Sequence, residues 1–199
     1  MNFAVLTALI GCAFAATITP GPNNLMLMAS GANFGFRRTM PHMLGIVGGV
    51  SAMAFLVGMS LMAVFDAVPA LNLVLTILSV AYLIWLAAKI AIAAPIEEQD
   101  AGSNPMTFLE AALFQWVNPK AWAMCLSAVT LYAPDRSLQS VVMVAGSFAS
   151  VCFPAIAVWA WLGTVVRRWL SNNTRLRIFN CTMAALLVAS LYPILGLGA

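Results

Sequence analysis

Apolar residues gather in six long runs, at positions 4–34, 41–65, 68–94, 107–133, 138–162 and 178–197. A bilayer core about 30 Å thick is crossed by about 20 apolar helical residues, and each run supplies them. The polar links are short. Positions 33–40 carry Arg37 and Arg38, Asp66-Ala67 makes a tight turn ahead of Pro69, and Pro134-Asp135-Arg136 makes another. Positions 95–105 form the one real loop, with Glu97, Glu98 and Asp100, and positions 166–177 carry Arg167, Arg168, Arg175 and Arg177. The pattern predicts an all-α integral membrane protein with six transmembrane helices.

Composition agrees with the pattern. Hydrophobic types make up 63% of the 199 residues and charged types 8%, where a soluble domain carries about 25% charged residues. A chain so poor in charge cannot cover a water-facing surface. Its length fits one transmembrane domain, 1–199, rather than two. The net charge of +3 is modest, and no basic stretch interleaved with aromatics points to nucleic acid. Cys12, Cys125, Cys152 and Cys181 are scattered through apolar sequence without a CxxC, and His42 is the sole histidine. A protein-built metal site is therefore not expected, and four buried thiols acting as small hydrophobes are. No Walker loop and no hydrolytic or transferase centre is visible, so neither an enzyme, a cofactor nor direct use of ATP is expected.

Leu9-Ile10-Gly11-Cys12 resembles a lipoprotein cleavage box and Ala13-Phe14-Ala15 a signal-peptidase site. Both need a positive leading region, and no Lys or Arg precedes Arg37. The first run is expected to be retained as a helix.

Two runs are interrupted near their middles. The first contains Thr19-Pro20-Gly21-Pro22-Asn23-Asn24, and the fourth contains Gln115-Trp116-Val117-Asn118-Pro119-Lys120. Proline removes an N–H and clashes with the preceding turn. Gly21-Pro22 and Asn118-Pro119 both read as fresh starts, a cap followed by Pro at the first helical position. A restart inside the membrane exposes N–H groups and a positive dipole end that favour anions such as a carboxylate. Irregular backbone at that depth is tolerated only where protein buries it or a wet cavity lines it.

Lys120 lies within about a turn of its break, and an intramembrane lysine usually has a function. Binding a substrate carboxylate and acting as a proton-linked charge switch are two readings. Pairing with carbonyls freed at the break, or snorkelling, is the other. Asn23, Asn24, Gln115 and Asn118 either bind the cargo's polar groups or satisfy backbone groups freed by Pro20, Pro22 and Pro119. Thr17 and Thr19 suit both parts. Gly45 and Gly49 form a GxxxG suited to close helix packing. His42 is expected to be a wet interfacial residue, and Lys89 to snorkel. Pro154 and Pro193 are expected to kink their helices, and Trp159, Trp161 and Trp169 to sit in interfacial belts.

The two halves look related. Sliding the second back places Pro119 on Pro22 and the fifth run on the second. A three-helix set inverts its neighbour's topology, so the expectation is two inverted-topology repeats. These are about 1–95 and about 107–199, joined by a cytoplasmic loop at about 96–106, with helices 1 and 4 broken at their Pro motifs. Matched breaks in inverted repeats point to a transport site.

Taken together, these residues resemble the LysE/RhtB family of bacterial amino-acid exporters. The resemblance spans nearly the whole chain. It rests on Thr19-Pro20-Gly21-Pro22-Asn23, Gly35-Phe36-Arg37-Arg38, His42-Met43-Leu44-Gly45 with Gly49, the stretch 82–89, and Gln115 with Asn118-Pro119-Lys120. It implies six helices in the bacterial cytoplasmic (inner) membrane, efflux of small amino acids or derivatives driven by the proton-motive force, and a homodimer. The sequence looks nearer to the exporters of threonine, homoserine and cysteine derivatives than to those of basic amino acids. The competing reading is a transmembrane thiol oxidoreductase of the DsbD/CcdA type. Such proteins look similarly two-halved, with one redox cysteine in each of the first and fourth helices, where Cys12 and Cys125 fall here.

Lys and Arg set orientation. The first, third and fifth links hold Arg37, Arg38, Lys89 and the four late arginines, while the second and fourth hold Arg136. The odd links are therefore expected in the cytoplasm and both termini outside. A C-terminal reporter active only in the cytoplasm should stay silent, and a signal from it would reverse the orientation.

Overall fold

In lipid every backbone N–H and C=O must find a partner within the protein, so the apolar runs fold as helices. The computed structural model describes residues 3–61, 70–92, 104–167, 169–170 and 172–191. Among them the helices are α1 Phe3–Ile18, α2 Pro22–Phe34, α3 Phe36–Leu56, α4 Ala70–Ala91, α5 Phe108–Phe114, α6 Pro119–Tyr132, α7 Leu138–Arg167 and α8 Asn173–Ala189. A π-helical turn, Val57–Leu61, prolongs α3, and a 3₁₀ turn, Gln115–Val117, follows α5. No strand occurs among the described residues.

Among the described residues three helical stretches are long and apolar enough to span a bilayer: Phe36–Met59, Leu73–Ala91 and Leu138–Arg167. The pair α1 and α2, bent by 58°, passes the same test together and counts as a fourth when taken as one broken span. The other two expected spans are shorter among the described residues. Phe108–Val117 is a short apolar helix ending at the second break, and α8 has 17 residues. The turn at Asp66-Ala67, Pro69, most of the acidic loop with Glu97, Glu98 and Asp100, and Arg168 and Pro193 lie outside the described residues.

Several boundaries differ from the hydropathy pattern for local reasons. Helix α3 begins at Phe36, five residues before the apolar run, because Gly35 alone joins it to α2. Its φ of 82° is a left-handed conformation open to glycine and strained for other residues. Arg37 and Arg38 are thus the exposed first turn of a helix rather than a loop. Helix α8 likewise starts early, because Asn172 caps it by accepting from Thr174 N at 2.8 Å. Arg175 and Arg177 therefore lie on α8. The turn after α6 is closed by Ser140 Oγ donating to Asp135 Oδ1 at 2.6 Å. Hydrogen bonds from Ser140 and Ser137 hold that carboxyl below its usual range.

Among the described residues the bundle has two large apolar centres and a small third at Ala32, Leu170 and Leu176. Leu9, Leu27, Ile46, Val50, Phe148 and Ile156 knit α1, α2 and α3 to α7. Leu25, Leu83, Phe114 and Leu187 join α2, α4, α5 and α8. The first part of each broken run lies on a long helix of the other half: α1 packs on α7 and α5 packs on α3, while α4 packs on α8.

Lipid offers no hydrophobic drive for helix pairing, so close approach through small residues takes over. Helices α2 and α7 meet at Gly31 and Gly163. A Cβ on Gly31 would strike Ala160 O, and one on Gly163 would strike Met28 O. A Cβ on Gly45 would run into Phe108 O, and one on Gly49 would lie 2.7 Å from Ala112 O, so α3 meets α5 through both glycines. Of the thiols, Cys125 and Cys152 are buried as expected, whereas Cys12 and Cys181 face outward.

Adding a methyl at the α2–α7 crossing should cost about 1–3 kcal/mol by overpacking. Gly31→Ala and Gly163→Ala are expected to lower the thermal midpoint in detergent. Gly11→Ala and Gly146→Ala, where a Cβ meets nothing within 4 Å, are expected to leave it level or raise it. Equal midpoints for the two pairs would contradict the packing argument.

Candidate functional site

Pro20 and Pro22 lack an N–H, so the last carbonyls of α1 lose their ladder partners. Three side chains from three different helices replace them. Asn24 Nδ2 donates to Thr17 O and Thr19 O, both at 2.8 Å. Trp159 Nε1, from α7, donates to Ile18 O at 2.9 Å. Lys120 Nζ, from α6, donates to Thr19 O at 2.5 Å and Pro20 O at 3.3 Å. The ammonium thus sits at the negative end of the α1 dipole, where a cation is favoured. Thr17 and Thr19 turn their hydroxyls back onto Ala13 O and Ala15 O.

The second break is closed differently. Asn118 is extended and accepts from Lys120 N at 3.2 Å through its side chain. Its carbonyl takes Ala121 N at 3.0 Å and Trp122 N at 3.3 Å. The start of α6 is therefore capped by its own sequence. The start of α2 is not: Gly21 offers no side-chain cap. Its backbone is extended there, so Gly21 matters for space. A Cβ would come 2.7 Å from Lys120 Cδ.

The breaks are tied together. Asn23 Nδ2 donates to Gln115 Oε1 at 2.8 Å, and Gln115 Nε2 donates back to Asn23 Oδ1 at 3.2 Å. Gln115 Nε2 also bonds Ala111 O at 2.8 Å, and Asn118 Nδ2 reaches Gln115 Oε1 at 3.3 Å. Gln115 is fully buried. Thr19, Pro20, Gly21, Pro22, Asn23, Asn24, Gln115, Asn118, Pro119 and Lys120 therefore gather at one polar centre, with Thr19 and Pro20 on its exposed side.

A cavity of about 20 Å³ lies at this centre, between Thr17, Asn23, Asn24, Asn118 and Lys120 on one side and Ile46, Val50, Cys152 and Ile156 on the other. One water occupies on the order of 10–15 Å³ by the same measure, so the space holds about one water. Asn24 Oδ1 is buried there without a partner.

Sequence reasoning missed two participants. Trp159 is not a belt residue but a fastener of the first break, and nothing in its local sequence marks Ile18 as its acceptor. His42 is not wet: it is 2% exposed, with both ring nitrogens buried and unpartnered. The redox reading finds no support in the thiols. All four are free, Cys12 is exposed, and Cys125 is buried, its Sγ donating to Val50 O at 3.7 Å. No group of His, Cys, Asp and Glu able to hold a metal occurs among the described residues.

Two fastened helix breaks inside an apolar bundle define a membrane protein built around a polar centre, as a carrier of polar cargo needs. The family model for LysE type translocators matches residues 14–190, and the chain belongs to that family. The family is one of transporters, not enzymes. The chain is 30% identical to the cysteine/O-acetylserine efflux protein of Escherichia coli strain K12, over 94% of this chain and 96% of that protein. The same identity and coverage hold for the protein of that name from Shigella sonnei strain Ss046. A third, from Escherichia coli O139:H28 strain E24377A, is 29% identical over the same shares. No solved structure matches the chain.

Leaving Thr17 O without Asn24 should cost about 1–3 kcal/mol, the penalty for a buried unpaired acceptor, while Thr19 O keeps Lys120. Asn24→Leu is expected to lower the thermal midpoint clearly more than Asn172→Leu, which removes only an exposed cap. A midpoint equal to that of the parent protein would remove Asn24 from the fastening of the break.

Proposed function

We propose that the protein is a secondary exporter of small amino acids or their derivatives across the bacterial cytoplasmic membrane, driven by the proton-motive force. The observation that carries this reading is the convergence of both helix breaks on Lys120. An ammonium has three donors and no acceptor; two of Lys120's donors hold α1, which leaves one for a cargo carboxylate. The uncapped start of α2 adds partial positive charge on the same cavity. Asn24 Oδ1 supplies an acceptor for the cargo's ammonium. Thr19, Pro20, Gly21, Pro22, Asn23, Gln115, Asn118 and Pro119 shape this site and gate it. With room for about one water, the centre is closed to an amino acid, and loading requires the breaks to separate.

The chain crosses the membrane six times as two inverted three-helix repeats, about 1–95 and about 107–199, with both termini outside. The reciprocal packing of α1 on α7 and of α5 on α3 supports that arrangement, because a two-fold relation between halves exchanges those pairs. The working form is a homodimer. The names of the relatives make cysteine and O-acetylserine the first cargo to test.

Lys120→Ala is expected to reduce efflux at least tenfold in cells loaded with O-acetylserine, threonine or homoserine, with normal amounts of folded protein in the membrane. Gly21→Ala should lower efflux partially by displacing the lysine stem. A protonophore should abolish efflux by the parent protein. Near-normal efflux by Lys120→Ala would refute the lysine's role, and unchanged export of every amino acid on deletion and overexpression would refute the exporter.

A further inference from the structure

A second and much larger cavity, about 600 Å³, lies between α2, α3, α4 and α5. It lies towards the Gly35 end of the bundle. Along α2 the central cavity is lined at Asn23 and Asn24 and the large one at Ala29 and Asn33. On α3 the same order runs from Ile46 to His42, and between α6 and α5 it runs from Asn118 to Glu110. The Asn23–Gln115 amide pair stands between the two cavities on this axis.

The lining of the large cavity includes a cation and an anion that are not in direct contact. Lys89 Nζ rests 4.2 Å above the Trp85 ring, a cation–π seat. Glu110 completes the capping box of α5, its Oε2 accepting from Thr107 N at 2.8 Å and Thr107 Oγ1 at 2.9 Å. Lys89 and Glu110 are both exposed, and no ion pair joins them. Beside them lie two buried groups that lack partners: both nitrogens of His42, and Oδ1 of Asn33, a residue 4% exposed. Buried polar atoms are nearly always satisfied by protein or by something bound. Two such residues among the lining, beside a cation and an anion that form no ion pair, suit a polar guest. The volume lies in the range of small-molecule sites, and the central cavity is far smaller.

We infer that this cavity is a loading site for a zwitterionic α-amino acid, with Glu110 taking the α-ammonium and Lys89 the α-carboxylate. The site rests on the export reading for its biological sense and lies one layer away from Lys120. Cargo held there passes to the central site when the Asn23–Gln115 pair opens.

Binding to the purified full-length protein in phosphatidylglycerol nanodiscs tests this apart from transport. Calorimetry is run with L-serine, L-threonine, L-cysteine and O-acetyl-L-serine. Two analogues accompany them: O-acetylethanolamine, without the carboxylate, and N-acetyl-L-serine, without the ammonium. The parent protein is expected to bind at least one of the four amino acids and to reject both analogues. Lys89→Gln should weaken amino-acid binding at least tenfold and erase discrimination against O-acetylethanolamine, and Lys89→Arg should restore it. Glu110→Gln keeps the capping box and should erase discrimination against N-acetyl-L-serine. Parental affinity and discrimination in both glutamine variants would overturn the site and leave export standing. Binding lost in the variants, with no export by the parent protein in cells, would uphold the site and remove the exporter. Failure of the parent protein to bind any of the four amino acids would overturn the site. So would variants that lose co-purifying phosphatidylethanolamine while keeping amino-acid affinity, which would give the cavity to a lipid headgroup.

Discussion

The structure depends on how the end of α1 is satisfied. Four consecutive carbonyls, from Thr17 to Pro20, are bonded to side chains rather than to the helix ladder. In water such groups would hydrate at little cost. Inside an apolar bundle each must be met by protein or by a trapped water. The donors come from α2, α6 and α7, so one local defect becomes the junction at which three other helices are held. The identity of the donors follows from the need: an amide with two hydrogens, an indole with one, and an ammonium with three.

That requirement explains why Lys120 is tolerated at this depth. A charge in a low-dielectric setting is expensive unless paired. Here its compensation is the partial negative charge at the end of a helix together with two carbonyl oxygens, not a carboxylate. Such a partner is weaker than a full anion. A lysine held this way keeps affinity for a real carboxylate, while one locked to an aspartate would have little left. The fastening seen for this side chain is thus compatible with the cargo binding proposed for it.

Much of this was legible in the sequence, because its causes are local. Pro20, Gly21, Pro22, Asn118 and Pro119 interrupt helices through their own covalent chemistry, and the breaks fall where those residues stand. The caps at Asn118 and Asn172 and the Thr107–Glu110 box depend on neighbours three residues apart or fewer. Hydropathy placed the apolar runs but not the helix ends. At Phe36 and Asn173 the helix continues into charged sequence that a hydropathy reading leaves as a link. The long-range pairings were not legible. Trp159 lies 141 residues from Ile18, and no property of either residue announces the other. His42 looked interfacial because it is polar and near a helix start; its burial is a property of the bundle.

One consequence concerns α2. Its 13 residues lie between two places where the helical ladder is interrupted, the Thr19–Gly21 break and the left-handed Gly35. Between them Gly31 lies against Ala160 on the longest of the described helices. Mechanically this is a short beam with a joint at each end and a fulcrum nearer one of them. Tilting such a beam moves its two ends in opposite senses: a small displacement at Gly35 is returned, reversed and enlarged, at Asn23.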